Sequence, residues 1–111
     1  MMSKSSITID AVALPAMHPG EVIADELGTI GVSASALARA LDVPQSRVAE
    51  IIRGKRSITA DTALRLAAYF GTSARMWLNL QIAFDIATTE ARDGEHILSV
   101  VRPLAKATEA A

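Results

Sequence analysis

Cysteine is absent from the 111 residues, which removes disulfides, thiolate nucleophiles and every Cys-based zinc or iron-sulfur site at once. Aromatic residues make up only 4% of the chain, so a core has to be filled by Leu, Ile, Val and the many alanines, a mixture suited to closely packed helices. Histidine is limited to His18 and His96. Neither has an acid, nucleophile or ligand pattern around it, and there is no HExxH or phosphate-cradling loop, so an enzyme, a metal site and a cofactor are not expected. No apolar run approaches the roughly 20 residues that span a bilayer. The opening MMSKSSITID lacks the apolar stretch of a secretory leader. The expectation is a cytoplasmic protein with no membrane partner.

A large excess of either charge is also missing, since 11 Lys/Arg stand against 12 Asp/Glu and the formal net charge is -1. That sum hides an uneven distribution. Residues 32–84 hold seven Lys/Arg (Arg39, Arg47, Arg53, Lys55, Arg56, Arg65, Arg75) against three acids (Asp42, Glu50, Asp61). Residues 1–31 and 85–111 are acidic on balance. A positive middle between negative ends suits a polyanionic partner, because a phosphate backbone responds to local rather than total charge.

What is present is a succession of helix start and stop signals. Residues 1–17 carry a short alternation at Ile7 and Ile9 and are expected to form a flexible arm. Pro19 opens a first helix that Gly28 and Gly31 end. Ser33 caps a second helix reaching Leu41, and Pro44 opens a third that Gly54 stops. Thr59 caps a fourth helix running to Phe70, with Gly71 beyond it. Ser73 caps a fifth reaching about Arg92, before Gly94 breaks it. The expected domain is therefore all-α, with five helices over residues 18–92 and a C-terminal tail over 93–111.

The second and third helices carry the most specific pattern. Leu37 and Leu41 lie one turn apart on an inner face, and the small Ala38 lets the third helix approach closely. Val43 plugs the turn, while Val48, Ile51 and Ile52 bury the third helix on the second. Asp42 occupies a turn position calling for a left-handed residue, which Asp tolerates. This is a helix-turn-helix pattern. It turns the start of the third helix, Gln45-Ser46-Arg47, outward. Arg can bond guanine at two atoms, Gln can do the same to adenine, and Ser serves a base or a phosphate, so these three are the candidate base readers, with Arg47 first. Arg53, Lys55 and Arg56, clustered around Gly54, are the candidate phosphate contacts.

From His18 to Thr88 the chain resembles the HigA/VapI family of antitoxins, within the wider Cro/phage-repressor (XRE) type of helix-turn-helix protein. The matching segments are HPGEVI at 18–23, ALARALDVPQSRVAEIIRGKRSITADTALRLAAYFGTS at 36–73 and MWLNLQIAFDIA at 76–87. The resemblance implies a lambda-repressor-like five-helix domain that binds its own double-stranded operator DNA and represses its operon. It also implies a HigB-like toxin partner, an mRNA-cleaving ribonuclease of the RelE type. One position departs from the family: the residue before Ser35 is often a phosphate-contacting Gln, and here it is Ala34. The hydroxyls of Ser33 and Ser35 are the candidates to replace that contact.

The fifth helix carries two apolar sides. Met76, Trp77, Leu80, Ala83, Phe84 and Ala87 share one, expected to face the core. Leu78, Ile82 and Ile86 share nearly the opposite one, where water would cost roughly 1.5 kcal/mol or more per side chain relative to burial. A two-fold homodimer interface is the favoured account of that second stripe, with cover by the N-terminal arm or by residues 97–101 as the alternative. A stand-alone phage-type repressor without a toxin carries the same DNA-reading pattern, and a pure protein-interaction module is the more distant possibility.

Overall fold

The computed structural model describes residues 16–105. The arm expected over residues 1–17 therefore lies almost entirely outside the described residues, as does the end of the expected tail. The chain forms α1 (Pro19–Ile30), α2 (Ala34–Leu41), α3 (Gln45–Ile52), α4 (Ala60–Phe70) and α5 (Ala74–Val100), with no strand among the described residues.

The helix starts follow from local chemistry. Pro19 is the first residue of α1, and the buried His18 caps it through Nδ1, which accepts the N–H of Gly20 at 2.9 Å. Ser33, Thr59 and Ser73 cap α2, α4 and α5 by accepting the N–H groups of Ala36, Thr62 and Met76. Each satisfies one of the amide donors that a helix start leaves without a partner. Pro44 stands one position outside α3 and supplies no capping side chain. At the other ends, α1 runs through Gly28 and stops only at Gly31, which is left-handed. Asp42 adopts φ 58° in the turn between α2 and α3, the one non-glycine residue with positive φ among the described residues.

One core holds these helices together. Leu37, Ala38 and Leu41 of α2 pack with Val48 and Ile51 of α3, joined by Ile23 and Leu27 of α1, Ile58, Ala63 and Leu66 around α4, and Trp77 of α5. Gly20 sits where α1 meets the end of α3; a Cβ there would overlap the carbonyl oxygen of Ile51. The Trp77 indole donates to Thr72 Oγ1 at 2.8 Å and lies beside Phe70. No described helix is long and apolar enough to cross a membrane.

Two sequence expectations are corrected on α5. The helix does not break at Gly94 but continues to Val100, so the expected boundary at residue 92 falls inside a helix. A single interior glycine costs only about 1 kcal/mol relative to alanine, which the helix-forming neighbours tolerate. The buried side also differs from the expected one. Trp77 and Gln81 are buried, Leu80, Phe84 and Ala87 are half-buried, and Met76 and Ala83 are exposed. A polar residue therefore sits at the centre of the packed side.

Candidate nucleic-acid interface

At about 100° per residue, Val48 and Ile51 fix the inner side of α3. Ser46, Ala49, Glu50 and Arg53 then face away from the body. Gln45 and Ser46 are exposed at the start of the helix, and no other segment of the described chain lies over them.

Arg47 sits differently from its expected outward position. It is one step round the helix from Ser46 and leans toward α4, where its Nη1 donates to Asp61 Oδ2 at 3.0 Å. Only 29% of the Arg47 side chain is exposed, against 56% for Asp61. The same Oδ2 accepts from Arg65 Nε at 3.0 Å, and Arg65 Nη1 donates in turn to the carbonyl oxygens of Leu41 and Asp42. A chain of bonds thus runs from the turn after α2 through Arg65 and Asp61 to Arg47. The hydrogen bond from Arg65 is the main influence on the Asp61 carboxyl; with the charges of both arginines it outweighs partial desolvation and holds the group below its usual pKa. The Asp61 bond holds Arg65 above its own.

The cationic cluster after α3 is likewise split. Gly54, at φ 75°, takes the left-handed conformation that turns the chain past α3. Arg53 and Lys55 are exposed with no ion-pair partner among the described residues. Arg56 instead pairs with Glu50, at 2.8 Å from Nε and from Nη2 to Oε1. Ser33 is exposed and its oxygen is engaged in capping α2, while Ser35 is half-buried.

Sequence reasoning missed three residues here. Glu50 and Asp61 are acids within a cationic stretch, and their roles appear only when the helices are brought together. Gln81 is the third: its Oε1 accepts the N–H of Ile58 at 2.8 Å, and its Nε2 donates to Asp85. The loop that carries the cations is thereby fastened to α5.

On α5, Ile82 and Ile86 are 54% and 55% exposed. Leu78, expected beside them, is half-buried and packs against the molecule's own core. The uncovered apolar side extends further along the helix, through Ile97 and Val100.

Five helices in this order, with α2 and α3 joined by a tight left-handed turn and a polar third helix face left open, define a helix-turn-helix protein. The helix-turn-helix family model matches residues 24–77. Virulence-associated protein I of Dichelobacter nodosus is 49% identical over 92 residues, which cover 82% of this chain and 83% of that protein. The solved structure of an addiction module antidote protein of the HigA family from Coxiella burnetii is 49% identical, with a TM-score of 0.78 over 82% of this chain and all of that one. Antitoxin HigA of Pseudomonas aeruginosa, solved with the higBA promoter, is 45% identical, with a TM-score of 0.77 over 81% of this chain and 99% of that one. The chain belongs to the HigA/virulence-associated protein I family, a family of helix-turn-helix antitoxins and not of enzymes.

Proposed function

We propose that this protein is the antitoxin of a type II HigB/HigA-type pair: a cytoplasmic repressor that binds operator DNA in its own promoter and neutralises a HigB-like, mRNA-cleaving toxin. The observation that carries the DNA-binding part is the open face of α3, where Gln45 and Ser46 stand clear of the fold beside the exposed cations Arg53 and Lys55. An α-helix of this kind fits the major groove, with its first residues at base edges and the flanking cations on phosphates. The Pseudomonas aeruginosa relative solved with promoter DNA supports the same use of the fold. Gln45, Ser46 and Arg47 are the base readers in this proposal, and Ser33, Ser35, Arg53, Lys55 and Arg56 the phosphate contacts.

The repressor works as a homodimer. Two-fold pairing through Ile82 and Ile86 of α5 covers apolar surface that the protomer leaves in water and presents two reading helices. A pseudo-palindromic operator requires them roughly 34 Å apart.

The toxin partner rests on family membership. A gel shift with the DNA upstream of the reading frame tests the repressor, and copurification with the product of the adjacent gene tests the antitoxin. A protein that binds neither that DNA nor that product refutes the proposal.

A further inference from the structure

We infer that Asp61 is a positioning residue that sets how strictly this protein discriminates between DNA sequences. The inference rests on the proposal that α3 reads DNA, and it concerns a residue that itself touches no base.

Three observations carry it. Asp61 Oδ2 receives both Arg47 Nη1 and Arg65 Nε, each at 3.0 Å. Arg65 is anchored to the helix-turn-helix itself through the carbonyl oxygens of Leu41 and Asp42. Arg47 spends one Nη1 hydrogen on Asp61 and keeps the Nε/Nη2 fork that a guanine edge requires. A long guanidinium side chain otherwise has to lose most of its rotamer freedom on binding. Fastening one end beforehand lowers that cost for the one geometry the fastening permits, and leaves it in force for others.

The carboxylate also acts against indiscriminate binding. Its negative charge lies between two arginines on the edge of a cationic surface, where it repels phosphates whatever their sequence. The first raises affinity for the matching duplex alone and so sets the preference; the second lowers affinity for every duplex and leaves the ratio unchanged. That combination is not expected of a residue whose only task is to hold α4 in place.

The test uses the full chain and two labelled duplexes: the DNA immediately upstream of the reading frame, and a scrambled duplex of equal length and composition. Anisotropy titrations at several salt concentrations give both affinities for the unaltered protein, D61N, D61E, R47A and the R47A/D61N double variant. D61N is expected to bind the scrambled duplex more tightly while its preference for the upstream duplex falls about tenfold, within the range of one bidentate base contact. D61E, which keeps the charge, restores most of the preference. In the R47A background, D61N no longer changes it.

An undiminished preference in D61N overturns the inference, and so does an equal loss of affinity for both duplexes accompanied by a lowered melting temperature, the mark of a purely structural residue. If D61N folds poorly, D61E against the unaltered protein decides: a preference no better than that of R47A overturns it. A protein that in its unaltered form fails to favour the upstream duplex removes the DNA-reading proposal itself, which is a separate result.

Discussion

Gln81, buried in α5, accepts the backbone N–H of Ile58 at 2.8 Å, although 23 residues separate them in the chain. Ile58 is itself buried, and it closes the loop that presents Arg53, Lys55 and Arg56. Buried amides are held this way because an unpartnered one forfeits its water without replacement. The helix assigned to dimerisation and the loop assigned to phosphates therefore share one hydrogen bond.

Replacing Gln81 with Leu leaves a side chain of similar size and strands the Ile58 N–H. The expected loss is about 1 to 3 kcal/mol, read as a lower urea midpoint with the slope unchanged. Hydrogen exchange at residues 53–58 should accelerate by more than at α2. Equal acceleration in both would place the bond outside the stability of the loop.

Gly20→Ala tests the contact between α1 and α3. The added methyl meets the Ile51 carbonyl, which is backbone and cannot swing aside. Overpacking of this kind costs typically about 1 to 3 kcal/mol. Gly28→Ala, with nothing within 4 Å of the new atom, is the control and should gain up to about 1 kcal/mol in the helix interior.

The cations after α3 should not behave alike. Lys55→Ala is expected to weaken binding to all duplexes and to lower the salt slope by about one unit, the amount for one phosphate contact. Arg56 already has Glu50 as a partner, so Arg56→Ala should lower the slope by less. Removing Glu50 as well brings the Arg56 contribution into view. Identical slopes for Lys55→Ala and Arg56→Ala would mean that the pair opens on DNA at no cost.

Acidification provides an independent reading of the Asp61 cluster. The folded-state pKa of Asp61 lies below its ordinary value of 3.8, chiefly through the bond from Arg65. Its stabilising contribution is therefore complete above that value and is lost as pH falls through the lower folded one. Urea midpoints of the unaltered protein should drop over that acid range, and D61N should show a shallower drop. The difference between the two proteins should be constant at neutral pH.

Dimerisation separates two neighbours on α5. Ile82→Glu places a charge on exposed surface and should shift the sedimentation profile toward monomer without lowering the melting temperature below that of the unaltered protein diluted to monomer. Leu78→Glu acts on a side chain that also packs against the core, so it should do both. A dimer that survives Ile82→Glu moves the interface elsewhere.

Much of the fold was legible because its determinants are local. Ser33, Thr59 and Ser73 cap through residues three positions on, and Asp42 declares the turn by its tolerance of positive φ. The core of α2 and α3 follows from helical spacing. Two kinds of feature resisted. Gly94 reads as a breaker only if its modest penalty decides, and here the helix-forming neighbours outweigh it. Arg47 with Asp61, Arg56 with Glu50, and Gln81 with Ile58 are bonds across elements, set by how the helices cross. No periodicity within one segment encodes such a crossing, which is why Arg47, expected to point outward, lies at the edge of the open face, held sideways by Asp61.

The unbroken run of α5 has a further consequence. At about 1.5 Å per residue, its 27 residues amount to a rod of about 40 Å, and the side chains from Glu95 to Val100 are all exposed. A protruding segment this short is marginally helical when nothing leans on it. Dilution below the dimer dissociation constant should therefore fray that tip first, and circular dichroism should register a small concentration-dependent loss of ellipticity while Trp77 fluorescence, seated in the body, stays unchanged.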